Sequence, residues 1–193
     1  MVIGLTGGMG CGKSTVGAVF KEFGAGFIDT DQIVRELLNE DSEVLLAVRK
    51  HFGDKVCDAE GKVDRGKIAG IVFSETAELK WLEALLHPRV RKRWQKQADA
   101  DASISWVVEV PLLFEKKLEK YFDFTVCVST SPENQLARMQ VMGLSENQVK
   151  ARIALQWPLG DKVKRSDFVL SNNGSIAFIR QQILLLNEKL SIF

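Results

Sequence analysis

A glycine-rich stretch near the N-terminus constrains this chain more than any other feature of its sequence. Residues 7–15 read GGMGCGKST, in which Gly7, four further residues and then Gly12-Lys13-Ser14 fit the phosphate-binding pattern G-x-x-x-x-G-K-[ST]. Glycine inside a regular element costs roughly 0.5–1 kcal/mol relative to alanine, so this density indicates a backbone that bends tightly around a ligand. The alternative is a glycine-rich turn that carries a surface lysine.

The segments on either side of this stretch favour the phosphate-binding interpretation. Residues 1–6 form a short apolar run with β-branched side chains, which is typical of a buried strand. Apolar residues from Val16 to Phe23 then recur at helical spacing, and Gly24 follows as a candidate C-cap. Backbone N–H groups at a helix N-terminus favour phosphate oxygens. The sequence therefore predicts a nucleoside triphosphate site.

The pattern also gives individual residues their roles. Lys13 would reach the β- and γ-phosphates, and the Ser14 hydroxyl would hold Mg²⁺. Cys11 is either a thiolate, stabilised by loop N–H groups and Lys13, or a shielded thiol that only packs. The predicted nucleotide-binding residues of the loop are Gly8, Gly10, Cys11, Gly12, Lys13, Ser14 and Thr15.

Composition excludes several other classes of protein. The 193 residues carry a net charge of +1, which argues against a general nucleic-acid binder. No stretch approaches the ~18 apolar residues of a membrane span, and the N-terminus resembles a core strand rather than a signal peptide. The three cysteines are scattered. We expect a disulfide-free cytoplasmic protein, a monomer or weak homo-oligomer that binds neither nucleic acid nor membrane.

The order of the apolar segments indicates an α/β protein. Further short strands are predicted at 26–29, 104–110, 124–129 and 168–171, separated by helical stretches. This indicates a three-layer α/β/α fold of the phosphate-loop NTPase type, built on a parallel sheet. Residues 31–101 hold no convincing strand and are interpreted as a helical insertion. Within it, Pro88 is predicted to open a new helix, because proline suits a first helical turn.

Three carboxylates follow predicted strands, near the sheet edge where ligands bind. One of Asp29 and Asp31 could accept a proton from an acceptor hydroxyl, while the other orients Mg²⁺ or caps the helix. Asp31 could also be merely an acid favoured by the helix dipole. Glu109 ends an apolar run, so it is either a magnesium-supporting acid or a buried structural glutamate.

Two further segments carry basic residues that could bind an anion. Residues 131–159 predict two helices joined by a tight turn, each with an arginine, Arg138 and Arg152, which is typical of a lid. A basic helix face is either solvated or attracts an anionic acceptor. Its residues are Arg89, Arg91, Lys92, Arg93 and Lys96.

These segments together resemble the dephospho-CoA kinase family. LTGGMGCGKSTV and IDTDQIVREL are similar to that family's opening and its Asp-Ala-Asp segment, with Thr30 in place of the alanine. Three further stretches follow in the family's order: LLHPRVR, VEVPLLFE and SDFVLSNNG. The resemblance spans about residues 1–174. It implies ATP and Mg²⁺ as cofactors, dephospho-CoA as substrate, and phosphorylation of the ribose 3′-hydroxyl, an alcohol acceptor.

The resemblance also implies an assignment of domains and catalytic residues. The core would comprise residues 1–30, 102–130 and 160–193, with a CoA-binding insertion at 31–101 and a lid at 131–159. Asp31 would be the general base, and Lys13, Arg138 and Arg152 would stabilise the phosphates. Ser14, Asp29 and Glu109 would hold the metal. Two departures from the family are Met142, near which many relatives carry a further arginine, and Cys11, at a position usually held by a small residue such as serine.

Two rival functions remain at this point. One is a phosphate-loop kinase with another small acceptor, such as a nucleoside monophosphate or shikimate. The other is a GTP-dependent switch that acts through partners. Such switches usually need an Asn-Lys-x-Asp guanine clamp, and no asparagine of this chain is followed by lysine.

Overall fold

A computed structural model describes residues 1–141, 149, 153–154 and 156–193. The chain forms two compact units. The first comprises Met1–Asp29 and Ala98–Phe193, and the second comprises Thr30–Gln97.

The first unit is built on a five-stranded parallel sheet with the order β2-β3-β1-β4-β5. Its strands are β1 (Val2–Gly7), β2 (Gly26–Asp29), β3 (Trp106–Glu109), β4 (Phe124–Ser129) and β5 (Phe168–Ser171). The central strand β1 is buried on both faces, because the adjacent residues Leu5 and Thr6, which point to opposite faces, have no exposed surface. Its almost continuous apolar sequence is typical of a parallel strand between two layers. The predicted parallel sheet is confirmed.

Helices flank this sheet and also build the second unit. The described residues include eight α-helices: α1 (Lys13–Glu22), α2 (Thr30–Glu40), α3 (Ser42–Phe52), α4 (Arg65–Val72), α5 (Thr76–Ala100), α6 (Pro132–Val141), α7 (Leu159–Arg165) and α8 (Ile176–Leu190). Short 3₁₀ turns lie at Gly53–Val56 and Glu119–Tyr121. No helix in these described ranges is long and apolar enough to cross a bilayer.

The core of the first unit forms where α1 and α8 pack on the sheet. Phe20 of α1 and Ile183 of α8 are fully buried in one cluster with Ile3 and Leu5 of β1. Each fully buried side chain of this size contributes about 1.5–3 kcal/mol relative to exposure. This packing anchors α1, and therefore also fixes the glycine loop that joins α1 to β1.

The predicted helix boundary at Pro88 is wrong, because α5 runs without a break from Thr76 to Ala100 and contains the proline. Proline lacks an N–H group and cannot bond to the carbonyl four residues earlier, which normally ends or kinks a helix. Buried residues on both sides, Leu82 and Leu86 before the proline and Val90 after it, keep both halves packed. Burial of these side chains in the tertiary structure therefore outweighs the tendency of Pro88 to end the helix.

Candidate phosphate-binding site

The glycine loop between β1 and α1 adopts a backbone that depends on glycine. Gly10 and Gly12 have φ angles of +76° and +84°, a left-handed region that other residues rarely adopt. A Cβ atom on Gly7 would collide with the backbone carbonyl of Val128 on β4. Gly12 is the N-cap of α1, so the first N–H groups of that helix, which lack intrahelical partners, emerge directly from the loop. Such groups are available to bind an anion.

The Lys13 side chain folds back over this loop. Its ammonium nitrogen lies 3.4 Å from the carbonyl oxygen of Gly7 and 3.3 Å from that of Gly8. It also lies 4.0 Å from Glu109 Oε1, and both side chains are only 10% exposed. The structure thus holds a cation at the loop, where the motif predicts it.

Side-chain oxygen atoms that could bind a metal lie beside Lys13 at the carboxyl edge of the sheet. The Ser14 hydroxyl donates to Glu109 Oε2 at 3.3 Å. Asp29, the last residue of β2, is the register partner of Glu109, the last residue of β3. A hydroxyl and a carboxylate in contact, with a second acid on the neighbouring strand, provide the hard oxygen ligands that Mg²⁺ prefers.

A cavity of about 540 Å³ lies against the loop, within the usual size range of ligand pockets. Seven residues predicted from the sequence line it: Gly10, Gly12, Lys13, Ser14, Thr15, Glu109 and Arg138. Four further residues that were not among the predicted site residues also line it: Val141, Asn172, Gly174 and Ile176. The cavity therefore combines a cationic, hydrogen-bonding side with apolar side chains.

Arg138 extends from α6 to the loop. Its Nη1 donates to the carbonyls of Cys11 at 3.2 Å and Gly10 at 3.4 Å, and its Nη2 donates to the carbonyl of Asn172 at 2.8 Å. The predicted partner Arg152 lies outside the described residues, as does Met142. Arg138 is thus the arginine of the predicted lid that the structure places at the cavity.

Side-chain amides that were not among the predicted site residues also bind the loop. Gln135 Nε2 donates to the carbonyl of Met9 at 2.6 Å, and Asn172 Nδ2 donates to the carbonyl of Cys11 at 2.8 Å. Asn172 follows β5, so its position after a predicted strand was an available signal. Gln135 lies on α6 with no distinguishing motif.

Asp31 lies in the first turn of α2, in the second compact unit and two residues after Asp29. Its predicted role as a proton acceptor stays a prediction. The position at a helix N-terminus also fits the structural alternative, since the helix dipole favours an acid there.

Cys11 differs from the prediction of a reactive thiolate. The residue is fully buried, and burial raises the pKa of its thiol above the usual value even though Lys13 acts in the opposite direction. Burial likewise raises the pKa of Cys127 to about 11. The alternative, a shielded thiol that packs, therefore describes Cys11 better.

We expect iodoacetamide to alkylate Cys11 at least about tenfold more slowly in the native protein at pH 7.5 than in urea, because shielding and the raised pKa both suppress thiolate attack. Mass spectrometry of the Cys11 peptide over time measures both rates. Fast native labelling that Mg-ATP slows would instead restore the reactive-thiolate interpretation.

The strand–loop–helix unit, the parallel sheet and the cavity lined by Lys13 and Arg138 define a phosphate-loop kinase. A shikimate kinase from Bacteroides thetaiotaomicron shares the fold, with a TM-score of 0.53 and 16% identity over 99% of this chain and 98% of that one. The dephospho-CoA kinase family model matches residues 1–177. The chain belongs to the dephospho-CoA kinase family, whose enzymes catalyse the final step of CoA biosynthesis.

Individual relatives agree with this assignment. A dephospho-CoA kinase from Geobacillus kaustophilus is 37% identical over 188 residues, covering 95% of this chain and 94% of the relative. The structure of a dephospho-CoA kinase from Campylobacter jejuni superposes with a TM-score of 0.72 and 29% identity, covering 98% of this chain and 96% of that one. The family resemblance and the fold predicted from the sequence are both confirmed.

Proposed function

We propose that this protein transfers the γ-phosphoryl group of ATP to the ribose 3′-hydroxyl of dephospho-CoA, giving CoA and ADP. The observation that carries this proposal is the cavity in which Lys13, Glu109 and Arg138 surround the glycine loop, in a chain of the dephospho-CoA kinase family. The loop N–H groups would bind the phosphates at the N-terminus of α1.

Two side chains that lie at the loop would stabilise the negative charge of the transferred phosphoryl group. Phosphoryl transfer spreads negative charge over the equatorial oxygens, and catalysis depends mainly on positioning and on nearby cations. Lys13 is held at the loop by its two carbonyl partners, and Arg138 contacts the loop from α6. Both cations line the same cavity.

A magnesium ion would be held by Ser14 and Glu109, with Asp29 on the neighbouring strand. Within the described residues, no group of three or more His, Cys, Asp or Glu side chains could hold a metal. The Ser14 hydroxyl and the carboxylates of Glu109 and Asp29 suit Mg²⁺, because this ion keeps several waters and takes its remaining ligands from substrate phosphates. When bound, the ion would neutralise charge on the phosphates.

The acceptor would be bound by the helical insertion, residues 31–101, and a lid at residues 131–159 would cover the phosphates. Within the second unit, a cavity of about 480 Å³ is lined by four cationic residues of α5: Arg89, Lys92, Arg93 and Lys96. Two of these make ion pairs, Arg89 with Glu43 at 3.6 Å and Arg93 with Glu36 at 3.3 Å. Three acidic residues, Glu40, Asp41 and Glu43, line the same cavity, so its four cations leave a net charge of +1, which favours an anionic acceptor.

Asp31 would act as the general base, accepting the proton of the acceptor hydroxyl as the new P–O bond forms. A ribose hydroxyl is a poor nucleophile, so a carboxylate within hydrogen-bond reach accelerates its attack. Asp31 follows Asp29, the last residue of β2, by two residues in the sequence, and this closeness along the chain supports the role.

A coupled assay of ADP release tests the proposal. With Mg-ATP, dephospho-CoA should support turnover well above the background ATPase rate, while shikimate and a nucleoside monophosphate should not. Mass spectrometry should find one added phosphate on the acceptor. Turnover with one of the other acceptors, and none with dephospho-CoA, would refute the proposed substrate.

A further inference from the structure

The peptide between Cys11 and Gly12 is held by two donors on its carbonyl oxygen. Asn172 Nδ2 donates to it at 2.8 Å, and Arg138 Nη1 donates at 3.2 Å. Asn172 is only 5% exposed, so water competes little for this contact. A Cβ atom on Gly12 would collide with Asn172 Nδ2. The Asn172 amide can therefore approach the loop this closely only because Gly12 has no side chain.

The contact determines where the next N–H group points. A trans peptide unit is planar, so its C=O and N–H bonds point in opposite directions. Fixing the Cys11 carbonyl toward Asn172 therefore directs the Gly12 N–H away from Asn172. A flipped peptide would present a carbonyl oxygen instead, and that oxygen repels phosphate. The orientation of this one unit therefore decides whether it presents an N–H group or a carbonyl oxygen to an anion.

Asn172 is itself fixed from several sides. Its N–H donates to the carbonyl of Ser129 at 2.7 Å, which ties it to the end of β4. Its own carbonyl accepts from Thr130 Oγ1 at 3.0 Å and from Arg138 Nη2 at 2.8 Å. Because these contacts hold the backbone of Asn172 in place, only its side-chain torsions remain to be ordered when the amide orients another group.

We propose that Asn172 is a positioning residue for ATP, whose side-chain amide orients the Cys11–Gly12 peptide so that the Gly12 N–H faces the nucleotide phosphates. The residue acts through Gly12 and need not touch the nucleotide. The inference rests on the proposed function only in that ATP occupies the cavity beside the loop.

Isothermal titration of ATP into Asn172→Ala tests this role. We expect the dissociation constant for ATP to rise about tenfold, the effect of one hydrogen bond that orients a polar group. The KM for dephospho-CoA should stay within about twofold of the parent value, because the acceptor does not use this peptide. Asn173→Ala is the matched control, since the Asn173 side chain contacts Thr130 and Ser131 rather than the loop, and its ATP affinity should be unchanged.

A second variant, Asn172→Asp, keeps the shape of the side chain and makes the test independent of lost packing. A neutral carboxyl group can donate to the Cys11 carbonyl, whereas a carboxylate cannot. ATP affinity relative to the parent at the same pH should therefore recover as the pH falls and the new carboxyl group becomes protonated.

Parent-like affinity for ATP in Asn172→Ala overturns the proposal. So does a uniform loss of affinity for both substrates together with a lowered melting temperature. If Asn172→Ala does not fold, a pH-independent deficit in Asn172→Asp decides against it. Because ATP binding needs no acceptor, failure of the proposed reaction with dephospho-CoA would be seen separately.

Discussion

Replacing Asp31 with asparagine is expected to lower kcat for phosphorylation of dephospho-CoA by about 10²–10⁴-fold, the usual contribution of general base catalysis. Asparagine nearly preserves the size of the side chain and keeps one acceptor oxygen, but it cannot take the proton of the hydroxyl. The affinity for ATP and the melting temperature should change little. Steady-state kinetics at saturating substrates measure the loss, and calorimetry measures ATP binding.

Substitutions of two other aspartates provide a control and a comparison for this result. Asp54→Asn changes an exposed residue of the second unit, 3.7 Å from Arg49, and should leave kcat near the parent value. Asp29→Asn should have a smaller effect than Asp31→Asn, and excess Mg²⁺ should partly rescue it if Asp29 supports the metal. If Asp31→Asn retains more than about a tenth of the parent kcat while chemistry limits the rate, Asp31 is not the base.

Replacing Arg138 with alanine should reduce kcat/KM by at least about 10²-fold, by analogy with other arginines that stabilise transferred phosphoryl groups. A loss mainly in kcat would indicate contacts made in the transition state, and a rise in KM for ATP would indicate ground-state binding. Arg138→Lys should recover little, because a lysine cannot reproduce the fork that reaches the carbonyls of Cys11 and Asn172 together.

Arg180 provides the matched control for this substitution. It is another arginine of the first unit, about half exposed and paired with Glu22 at 2.8 Å on the surface of α8. Exposed ion pairs of this kind contribute about 0–1 kcal/mol. Arg180→Ala should therefore retain parent kinetics, and similar kinetics in Arg138→Ala would remove Arg138 from the mechanism.

Local patterns were sufficient to predict most of the sheet. Strands such as Phe124–Ser129 and Phe168–Ser171 are short apolar runs bounded by polar residues, and the structure places them at the predicted positions. The helix around Pro88 was not predictable in this way. Its continuity depends on burial of side chains before and after the proline, which a local pattern does not contain.

The residues of the site likewise include some that local sequence patterns predict and some that they do not. Lys13 and Ser14 belong to a motif with a fixed spacing, and Glu109 ends a recognisable strand, so their convergence could be predicted. The contact between Asn172 and Cys11 joins positions 161 residues apart, and no spacing rule reaches that far. The state of the Cys11 thiol likewise depends on how the surrounding chain buries it.

The contacts of Lys13 have a consequence for the thermodynamics of nucleotide binding. Ordering a lysine side chain costs about 1.5–2 kcal/mol of rotamer entropy. In this structure the two loop carbonyls and Glu109 restrict the ammonium group, and these contacts are part of the fold itself. The chain therefore bears this entropic loss once, when it folds, rather than in every catalytic cycle.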